Sequence, residues 1–391
     1  MNVLFFSAWY PHRYDAMAGL FVRKHAEAVS RHARVCVLFP FEDEHVCNFE
    51  VVKKTFNEVT EIYVYYPYCK NPLLKTLSKG INYFRAFFKG YKVVLAQFGK
   101  PDICHANVLT RSGFLAYYLK KRYAIPYVVM EHWTRYLPEN FSYTGFFRKQ
   151  LSECVVREAG CIMPVSADLM RAMVSCGLKS NNYQVVNNVV DDFFYIPQES
   201  VVRHKKRILH ISCFDEKHKN VFGILRVIKK IAEQRNDFEL IIVGTGVDFQ
   251  MTYDYAQSLN LPVGVVKFVG EQAPQEVCQW FYNSDFFLLF SNYENAPVVI
   301  SESLAVGKPV LSSNVGGIAE MVRSQTGVLI EKGEEQALFE QTNLMLDHFQ
   351  EFDATKIREA GHQYSYDAVG ENLMAIYRAT LQGTPSCSPL K

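Results

Sequence analysis

Two glutamates in the C-terminal third of the chain are the residues best placed to do chemistry. Glu294 and Glu302 are separated by seven residues, and apolar residues recur at helical spacing from Val298 to Val306. Gly307 follows as a C-cap glycine, so we expect Glu302 on the first or second turn and Glu294 in the preceding loop. Backbone N–H groups at such a helix N-terminus can bind an anion, and a neighbouring carboxylate can accept hydrogen bonds from sugar hydroxyls. The alternative for each glutamate is a favourable partner of the helix dipole.

The segment around these glutamates carries more information than either residue alone. Residues 290–320 read FSNYENAPVVISESLAVGKPVLSSNVGGIAE. The string Glu, seven residues, Glu, then Ala-Val-Gly-Lys-Pro-Val and Gly-Gly-Ile-Ala-Glu resembles the donor-binding segment of glycosyltransferase family 4, a group of retaining enzymes with the GT-B fold. The resemblance covers nearly the whole chain and is strongest over residues 208–330. It implies an α/β protein in which two Rossmann-like, doubly wound domains face a central cleft.

The resemblance also implies roles for individual side chains. Glu294 would bind hydroxyls of the donor sugar, Glu302 the ribose hydroxyls, and Lys219 the donor diphosphate. A fixed cation at the diphosphate would neutralise the leaving group. The rest of the expected donor site is a helix N-terminus and two glycines of another loop, namely Asn295, Ala296, Pro297, Val298, Gly244 and Gly246.

One position departs from the family pattern. Cys213 stands where the family usually has an arginine, and Lys217 or His218 could substitute for it. This departure leaves open a non-catalytic partner built on the same scaffold. A GT-B sugar-nucleotide epimerase is a second alternative.

Polar residues also follow the predicted strands of the N-terminal half. We expect His105 and His132 each at the carboxyl end of a parallel strand, where ligand crevices open. The resemblance implies that His132 faces the donor sugar, and we expect His105, Glu131 and Asn188 on the acceptor side or in the cleft. Each histidine can also be structural. Gly19, before the first helix, either lets the backbone approach the donor or only lets the helix start.

Length and composition indicate a two-domain α/β protein. The chain has 391 residues, of which 49% are hydrophobic, and no run of eighteen apolar residues. Its ten cysteines include no C-x-x-C pair, which favours a reducing cytosol and argues against a zinc site. We expect an N-terminal domain over 1–195, a linker over 196–207 and a nucleotide-sugar domain over 208–362. A helix over 363–382 would cross back to the N-terminal domain, and 383–391 would form a loose tail.

Charge is distributed unevenly along the chain. Residues 1–190 hold 24 Lys and Arg against 14 Asp and Glu, and the remainder holds 18 against 26. The basic half fits an anionic partner, either a membrane surface or a phosphorylated acceptor. A basic amphipathic helix in this half either meets anionic lipid or packs its apolar stripe on the sheet. The stripe consists of Leu74, Leu77, Ile81, Phe84, Phe88, Tyr91 and Leu95.

The resemblance implies a retaining glycosyltransferase that uses a nucleotide-diphosphate sugar, with a UDP-sugar expected, and the cysteine pattern favours a cytoplasmic location. The expected acceptor is a glycan or polyprenyl-linked glycan in surface polysaccharide assembly. Because the chain contains no D-x-D sequence, we expect no metal and no other cofactor. We expect no nucleic-acid partner, and the basic helix predicts peripheral contact with the inner face of the cytoplasmic membrane.

Overall fold

The chain folds into two compact units. The computed structural model describes residues 1–69, 75–198 and 203–383, without the side chains of 75–77. The first unit comprises Met1–Val165, Leu169–Val189 and the chain from Tyr366 onward; the second comprises Ser166–Asp168 and Val190–Ser365.

The change of unit after Val189 comes before the segment predicted as a linker, 196–207. Part of that segment, 199–202, lies outside the described residues, as do Leu74 of the apolar stripe and 384–391 of the predicted tail.

A seven-stranded sheet forms the centre of the first unit. Its strands are β1 (Asn2–Phe6), β2 (Arg34–Asp43), β3 (Glu50–Phe56), β4 (Val59–Pro67), β5 (Ile103–Asn107), β6 (Tyr127–Glu131) and β7 (Ile162–Pro164). The strand order is β3-β4-β2-β1-β5-β6-β7, and every neighbouring pair is parallel except β3–β4. The sheet is therefore mixed, because β4 runs parallel to β2 and only the edge strand β3 is antiparallel to its neighbour.

Helices pack on this sheet and on one another. They are α1 (Leu20–Ser30), α2 (Lys75–Gln97), α3 (Ser112–Tyr123), α4 (Phe146–Glu158), α5 (Ala167–Ser175), which begins in the second unit, and α14 (Tyr366–Gln382). Within the first unit α14 packs against α1, where Arg31 forms an ion pair with Asp367 at 2.8 Å.

Helix α2 buries only part of the predicted apolar stripe. Ala86, Phe87, Tyr91 and Val94 are buried, whereas Ile81, Phe84 and Leu95 of the predicted stripe are more than 40% exposed. Gly90 lies on the buried face, where a Cβ would clash with the side chains of Leu38 on β2 and Val64 on β4. The glycine therefore allows a close approach of the helix backbone to the sheet.

The second unit contains a six-stranded, wholly parallel sheet. Its strands are β8 (Lys206–Ile211), β9 (Phe238–Val243), β10 (Val266–Gly270), β11 (Phe286–Leu289), β12 (Val310–Ser313) and β13 (Gly327–Ile330), in the order β10-β9-β8-β11-β12-β13. Its helices are α6 (Glu216–Lys219), α7 (Val221–Ala232), α8 (Phe249–Ser258), α9 (Pro274–Tyr282), α10 (Val298–Val306), α11 (Ile318–Met321), α12 (Glu335–His348) and α13 (Ala354–Gly361).

Apolar residues lie on both faces of this second sheet. All four residues of β11 are buried, as expected for a parallel strand covered by helices on both sides. Phe287 and Leu289 join one core with α9 and α10, and Phe286 and Leu288 join the other with α7 and α12. The predicted class, α/β with two doubly wound Rossmann-like units, is confirmed.

No helix in the described part of the chain is long and apolar enough to cross a membrane.

Candidate active site

A buried ion pair forms the centre of the candidate site in the second unit. Glu294 lies in the loop before α10 and is only 7% exposed. The Lys219 ammonium is 2.5 Å from Glu294 Oε1, and Ser291 Oγ donates to the same oxygen at 2.7 Å. The sequence assigned Lys219 and Glu294 to different parts of a ligand, and the structure joins them directly. Their roles toward the donor stay predictions.

Hydrogen bonds between two loops hold Lys219 in place. The short helix α6 carries Lys219 after β8, and the Lys219 N–H donates to the Asp215 carbonyl at 2.7 Å. Asn292, in the loop after β11, donates through its backbone N–H to the His218 carbonyl at 2.7 Å. Its side-chain amide donates to the Lys217 carbonyl at 3.2 Å. The ends of neighbouring strands β8 and β11 therefore bring the lysine to the glutamate.

Two glycines let the loop after β9 pack against the loop after β8. A Cβ at Gly244 would clash with the Ser212 carbonyl, and a Cβ at Gly246 would clash with the Cys213 carbonyl. Gly244 also has φ 121, a conformation that favours glycine. Both residues are needed for this packing, and their predicted place beside a diphosphate stays a prediction.

A second glycine pair supports the backbone of the candidate site. A Cβ at Gly316 would clash with the Glu294 carbonyl, and a Cβ at Gly317 with the Asn295 carbonyl. The Gly317 N–H donates to that Asn295 carbonyl at 3.0 Å. Gly316 and Gly317 therefore let their loop pack closely against the protein backbone at Glu294 and Asn295.

The N-terminus of α10 lies directly after this supported backbone. Pro297 precedes the first helical residue, Val298, and Ala296 lies just before the proline. The Asn295 side-chain oxygen accepts a hydrogen bond from Ser166 Oγ at 2.8 Å. The first N–H groups of a helix have no intrahelical acceptor. This end of α10 carries such N–H groups, and their contact with a donor anion stays a prediction.

Glu302 has different surroundings from Glu294. It lies on the second turn of α10 and is half-buried. Burial, with a further contribution from the Glu302 charge, raises the pKa of the Cys278 thiol on α9 to about 12. The two glutamates thus flank the start of α10, with Glu294 in the loop and Glu302 near α9. The ribose contact stays a prediction.

Sequence reasoning missed a buried histidine that supports this site. His210 on β8 is fully buried, and burial lowers its pKa to about 4, so the ring is neutral. Its Nδ1 lies 2.9 Å from the Leu288 carbonyl, and its Nε2 lies 3.0 Å from Ser212 Oγ. A neutral ring with these partners donates from Nδ1 and accepts at Nε2. The available signal was a single polar residue inside the apolar strand Lys206–Ile211.

Glu131 in the first unit organises a loop and is not open to a ligand. It is fully buried at the end of β6. Oε1 accepts from the N–H groups of His132 at 3.0 Å and Trp133 at 2.8 Å. Oε2 accepts from the Leu109 N–H at 2.9 Å and the Tyr136 hydroxyl at 3.2 Å. Burial raises the pKa of Glu131, and these donors counteract that rise. The expectation that Glu131 lies in the acceptor cleft is therefore corrected, because this residue has a structural role.

His105 does not lie at a strand end. It is the central residue of β5, because that strand continues to Asn107, which pairs with Met130 of β6. The ring is fully buried, stacks on Phe5 at 4.2 Å and bonds through Nδ1 to the Tyr377 hydroxyl at 2.6 Å. Burial holds the pKa of His105 well below its usual value. The expectation that His105 contacts the acceptor is therefore corrected, because the residue belongs to the protein core.

His132 follows β6 directly, as predicted. Its ring lies 4.3 Å from the Phe21 ring and 5.7 Å from the His25 ring. Burial, followed by the charges of His25 and His105, lowers the pKa of His132 well below its usual value. A neutral imidazole therefore stands at this strand end, and its approach to a donor sugar stays a prediction.

Gly19 and Asn188 occupy two other connections of the first unit. Gly19 begins α1 with φ 60, and a Cβ there would clash with the Trp9 carbonyl, so glycine is required by the protein itself. Asn188 is 9% exposed and follows Asn187, whose carbonyl lies 2.9 Å from His25 Nε2. Their contacts with donor and acceptor stay predictions.

Two family models match consecutive parts of the chain. The model described as Glycosyltransferase Family 4 matches residues 20–192. The model described as Glycosyl transferases group 1 matches residues 192–362, the part that holds Lys219, Glu294 and Glu302. The chain belongs to the group 1 glycosyltransferases of the family 4 type.

Curated relatives match about half of this chain. N-acetyl-alpha-D-glucosaminyl L-malate synthase of Bacillus anthracis is 26% identical over 200 residues, which is 49% of this chain and 51% of the relative. The amylovoran biosynthesis glycosyltransferase AmsK of Erwinia amylovora is 26% identical over 185 residues, 45% of each chain. Phosphatidyl-myo-inositol mannosyltransferase of Mycobacterium leprae is 25% identical over 54% of this chain and 57% of the relative. The chain spans about half the length of these relatives.

Solved structures share the fold over almost the entire chain. Sucrose-phosphate synthase from Thermosynechococcus elongatus superposes with a TM-score of 0.75 at 17% identity, covering 98% of this chain and 100% of that one. Anabaena Alr3699/HepE in complex with UDP gives a TM-score of 0.70 at 17% identity, covering 97% and 100%. At these identities the likeness shows the fold alone, and the fold is GT-B.

Proposed function

We propose that this protein transfers a sugar from a nucleotide-diphosphate donor bound to the second unit. The buried Lys219–Glu294 pair carries the proposal. An ammonium has three N–H donors, and Glu294 takes one of them, so Lys219 keeps others for the diphosphate. Lys219 and Ser291 both bind Oε1 of Glu294, which leaves Oε2 as the oxygen proposed to accept from sugar hydroxyls.

The donor we propose is a UDP-sugar and the reaction a retaining hexosyl transfer. Anabaena Alr3699/HepE has been solved with UDP and with UDP-glucose, and it shares the fold of this chain. In a retaining transfer of the kind the family implies, the donor phosphate accepts the acceptor's proton. Lys219 would then stabilise the charge that develops on the departing diphosphate.

The acceptor we propose is a glycan or a lipid-linked glycan in surface polysaccharide assembly. Two relatives support these classes by their names, one an amylovoran biosynthesis glycosyltransferase and the other a phosphatidyl-myo-inositol mannosyltransferase.

We also propose peripheral contact with the cytoplasmic face of a membrane through one layer of the first unit. Helices α2, α3 and α4 together carry eleven Lys and Arg against two Glu. Phe146 and Phe147 at the start of α4 are 72% and 86% exposed. Aromatic and basic side chains together suit an anionic lipid surface. Flotation of the protein with anionic but not with neutral vesicles would support this contact. The double variant Phe146→Ser, Phe147→Ser should float less with anionic vesicles. Equal flotation with both vesicle types would contradict the proposal.

Nucleotide binding tests the function. UDP should bind the wild-type protein in calorimetry, and Glu302→Gln should weaken it by roughly 1.5–3 kcal/mol, because a charged acceptor for the ribose becomes neutral. Glu294→Gln should keep UDP affinity and lower transfer from a UDP-sugar, because free UDP lacks the sugar. Glu271→Gln, an exposed glutamate, is the matched control. If no nucleoside diphosphate binds at millimolar concentration, the function is wrong.

We propose that transfer needs no metal. The sequence has no D-x-D, and within the described residues no group of three or more His, Cys, Asp or Glu could hold an ion. Excess EDTA should leave the transfer rate unchanged, and a loss restored by Mn²⁺ or Mg²⁺ would contradict the proposal.

A non-catalytic partner remains the second candidate because of the loop after β8. Cys213 is exposed at the position of the family arginine. His218, one expected substitute, is engaged through Nδ1 with Asp215 at 2.7 Å. UDP binding without turnover on any UDP-sugar would favour this candidate.

A further inference from the structure

Two tryptophans and two arginines come together at the carboxyl ends of strands in the first unit, the edge where ligand crevices open in such sheets. The indole rings of Trp9, in the loop after β1, and Trp133, just after β6, lie 5.1 Å apart in an edge-to-face arrangement. Cζ of Arg135 lies 3.0 Å from the centroid of the Trp133 ring. Together with Arg148 on the first turn of α4, these residues form what we call the Trp–Arg cluster.

The backbone of Trp9 is fixed, and its ring is open to solvent. The Trp9 N–H donates to Ser7 Oγ at 3.1 Å, and the Trp9 carbonyl lies where a Cβ on Gly19 would clash. Trp9 is nevertheless 38% exposed. A rigid exposed indole offers a flat apolar surface, and the C–H face of a sugar ring is a group of matching shape that gains free energy by leaving water.

Arg135 is a buried cation without an anion. It is only 8% exposed, and its side chain has no hydrogen bond or ion pair among the residues that the structure describes. Glu131 lies near enough for its charge to act on Arg135, but both of its oxygens accept from other donors. A buried cation without a partner is costly, so a bound anion would stabilise this arrangement.

The guanidinium of Arg135 keeps donors that a ligand can reach. Contact with the Trp133 ring uses the face of a guanidinium and leaves the N–H groups at its edge. Nε is the fully buried nitrogen of the group. The terminal nitrogens Nη1 and Nη2 are therefore the ones that can donate to an anion.

Two further arginines add positive charge beside Arg135. Burial lowers the pKa of Arg135, and the charges of Arg148 and Arg111 lower it further, so all three guanidinium groups lie near one another. Arg148 and Arg111 are exposed, and neither has a hydrogen bond or ion pair within the described ranges. The Ser142 N–H donates to the Arg135 carbonyl at 3.0 Å, which brings the segment before α4 back to Arg135. Helix α4 has no side-chain cap, so its first N–H groups add to the positive potential.

We propose that the Trp–Arg cluster binds an acidic sugar of the acceptor, one that carries a carboxylate or a phosphate. The apolar face of the sugar ring packs on Trp9, and its acid group accepts hydrogen bonds from the terminal nitrogens of Arg135 and from Arg148. The inference rests on the proposed function, since it names the chemical class of the acceptor sugar. It adds a requirement for negative charge on that sugar, independent of any lipid.

The burial of Arg135 favours a sugar over a membrane surface as the source of the negative charge. A lipid head group in a flat bilayer can approach exposed side chains such as Arg148, whereas Arg135 is 8% exposed and covered by an indole ring. The acid group of a small ligand can enter such a place, and its ring can contact the neighbouring tryptophan.

The test is calorimetry with pairs of sugars that differ in one acid group. The pairs are glucuronic acid with glucose, galacturonic acid with galactose, and glucose 6-phosphate with glucose. We expect at least one acid to bind about tenfold more tightly than its neutral partner, and whether a uronic acid or the sugar phosphate does so identifies the acid group. Acetate and inorganic phosphate, which lack the ring, should bind about tenfold more weakly than that acid.

Variants of the cluster assign the two contacts. Arg135→Gln and Arg148→Gln should each weaken the acidic sugar by about 10- to 100-fold and leave the neutral sugar unchanged, as expected for charge-assisted hydrogen bonds. Trp9→Ala should weaken both sugars by about 3- to 10-fold. Arg157→Gln, an exposed arginine at the other end of α4, is the matched control and should change the affinity less than about twofold. Because Arg148 is exposed, its variant is expected to fold even if Arg135→Gln does not.

Three results would overturn the proposal. The first is that no acid in the panel binds more tightly than its neutral partner. The second is unchanged affinity for the acidic sugar in Arg148→Gln. The third is that the arginine variants lose flotation with anionic vesicles and keep their affinity for the acidic sugar, because the cluster would then belong to a lipid surface.

UDP titration of the same samples separates this inference from the donor proposal. If UDP binds and no acidic sugar does, only the Trp–Arg cluster is wrongly assigned. If an acidic sugar binds as described and no nucleoside diphosphate does, the proposed function fails and the sugar site stands.

Discussion

Two buried glutamates, one in each unit, follow parallel strands and have opposite surroundings. Glu131 in the first unit receives four hydrogen bonds, three of them from backbone N–H groups. Glu294 in the second unit receives hydrogen bonds from two side chains, Lys219 and Ser291, at a single oxygen. Backbone donors are fixed by the fold, whereas the Lys219 ammonium has two further N–H donors that a ligand can use.

This difference in hydrogen-bond donors indicates which carboxylates can take part in chemistry. A carboxylate whose oxygens are all bound by protein donors is satisfied without a ligand and stabilises the fold. A carboxylate paired with a lysine at one oxygen keeps acceptor capacity and stands beside a cation. Burial alone does not separate the two cases, because both glutamates are less than 9% exposed.

Removing the lysine should have the largest effect. Lys219→Ala should lower the transfer rate by about 10²–10³, the cost of one preorganised electrostatic contact to a leaving group, with a smaller change in UDP affinity. Lys230→Ala, an exposed lysine in the last turn of α7, is the matched control and should retain activity. Equal rate losses in the two variants, measured at saturating donor, would show that the Lys219–Glu294 pair has no special role.

The contrast between Glu131 and Glu294 is tested most directly by replacing each glutamate with glutamine. Glu131→Gln should lower the free energy of unfolding by about 3 kcal/mol, because the amide places its NH₂ against buried donors that lose their acceptor. Glu294→Gln should cost less, about 1–2 kcal/mol, because Lys219 loses its opposite charge but keeps the amide oxygen as an acceptor and is partly exposed to water. Urea unfolding of both variants measures this, and a larger loss for Glu294→Gln would reverse the assignment of fold and chemistry.

The sequence predicted the second unit better than the first because its signals are local there. The helix α10, its terminal glycine Gly307 and Glu302 on its second turn follow from spacing within one short segment. The parallel sheet follows from short apolar strands separated by helices. The Lys219–Glu294 contact could not be predicted from spacing, because it joins loops 75 residues apart.

The first unit was harder because packing overrides local pattern. Gly90 on α2 has no special signal in the sequence, yet it lies where the helix approaches β2 and β4 too closely for a Cβ. His105 resembles a strand-end residue until the pairing of Asn107 with Met130 extends β5 beyond it. Glu131 and His132 are adjacent in sequence, and only the hydrogen bonds of Glu131 show that it belongs to the loop it supports.

The last comparison concerns acid and the buried histidines of the two units. Burial lowers the pKa of His25, His105 and His132 in the first unit, and of His210 to about 4 in the second. Each ring is neutral when folded and binds a proton near pH 6.5 when unfolded, so its stabilisation is complete above that pH. It is lost as the pH falls from about 6.5 toward the folded value, at up to about 1.4 kcal/mol per pH unit and group.

The first unit contains three of these buried histidines and the second contains one, so the stability of the first unit should fall more in acid. Between about pH 7 and pH 5, hydrogen-exchange protection should fall more in β5 and β6 than in β8 and β11. His210→Gln is the control, since it should flatten the pH dependence of the second unit and leave that of the first unchanged. Hydrogen-exchange protection could instead fall equally in both sheets, or first in β8. That result would mean that the histidines of the first unit bind protons in the folded state, so that acid does not destabilise this unit through them.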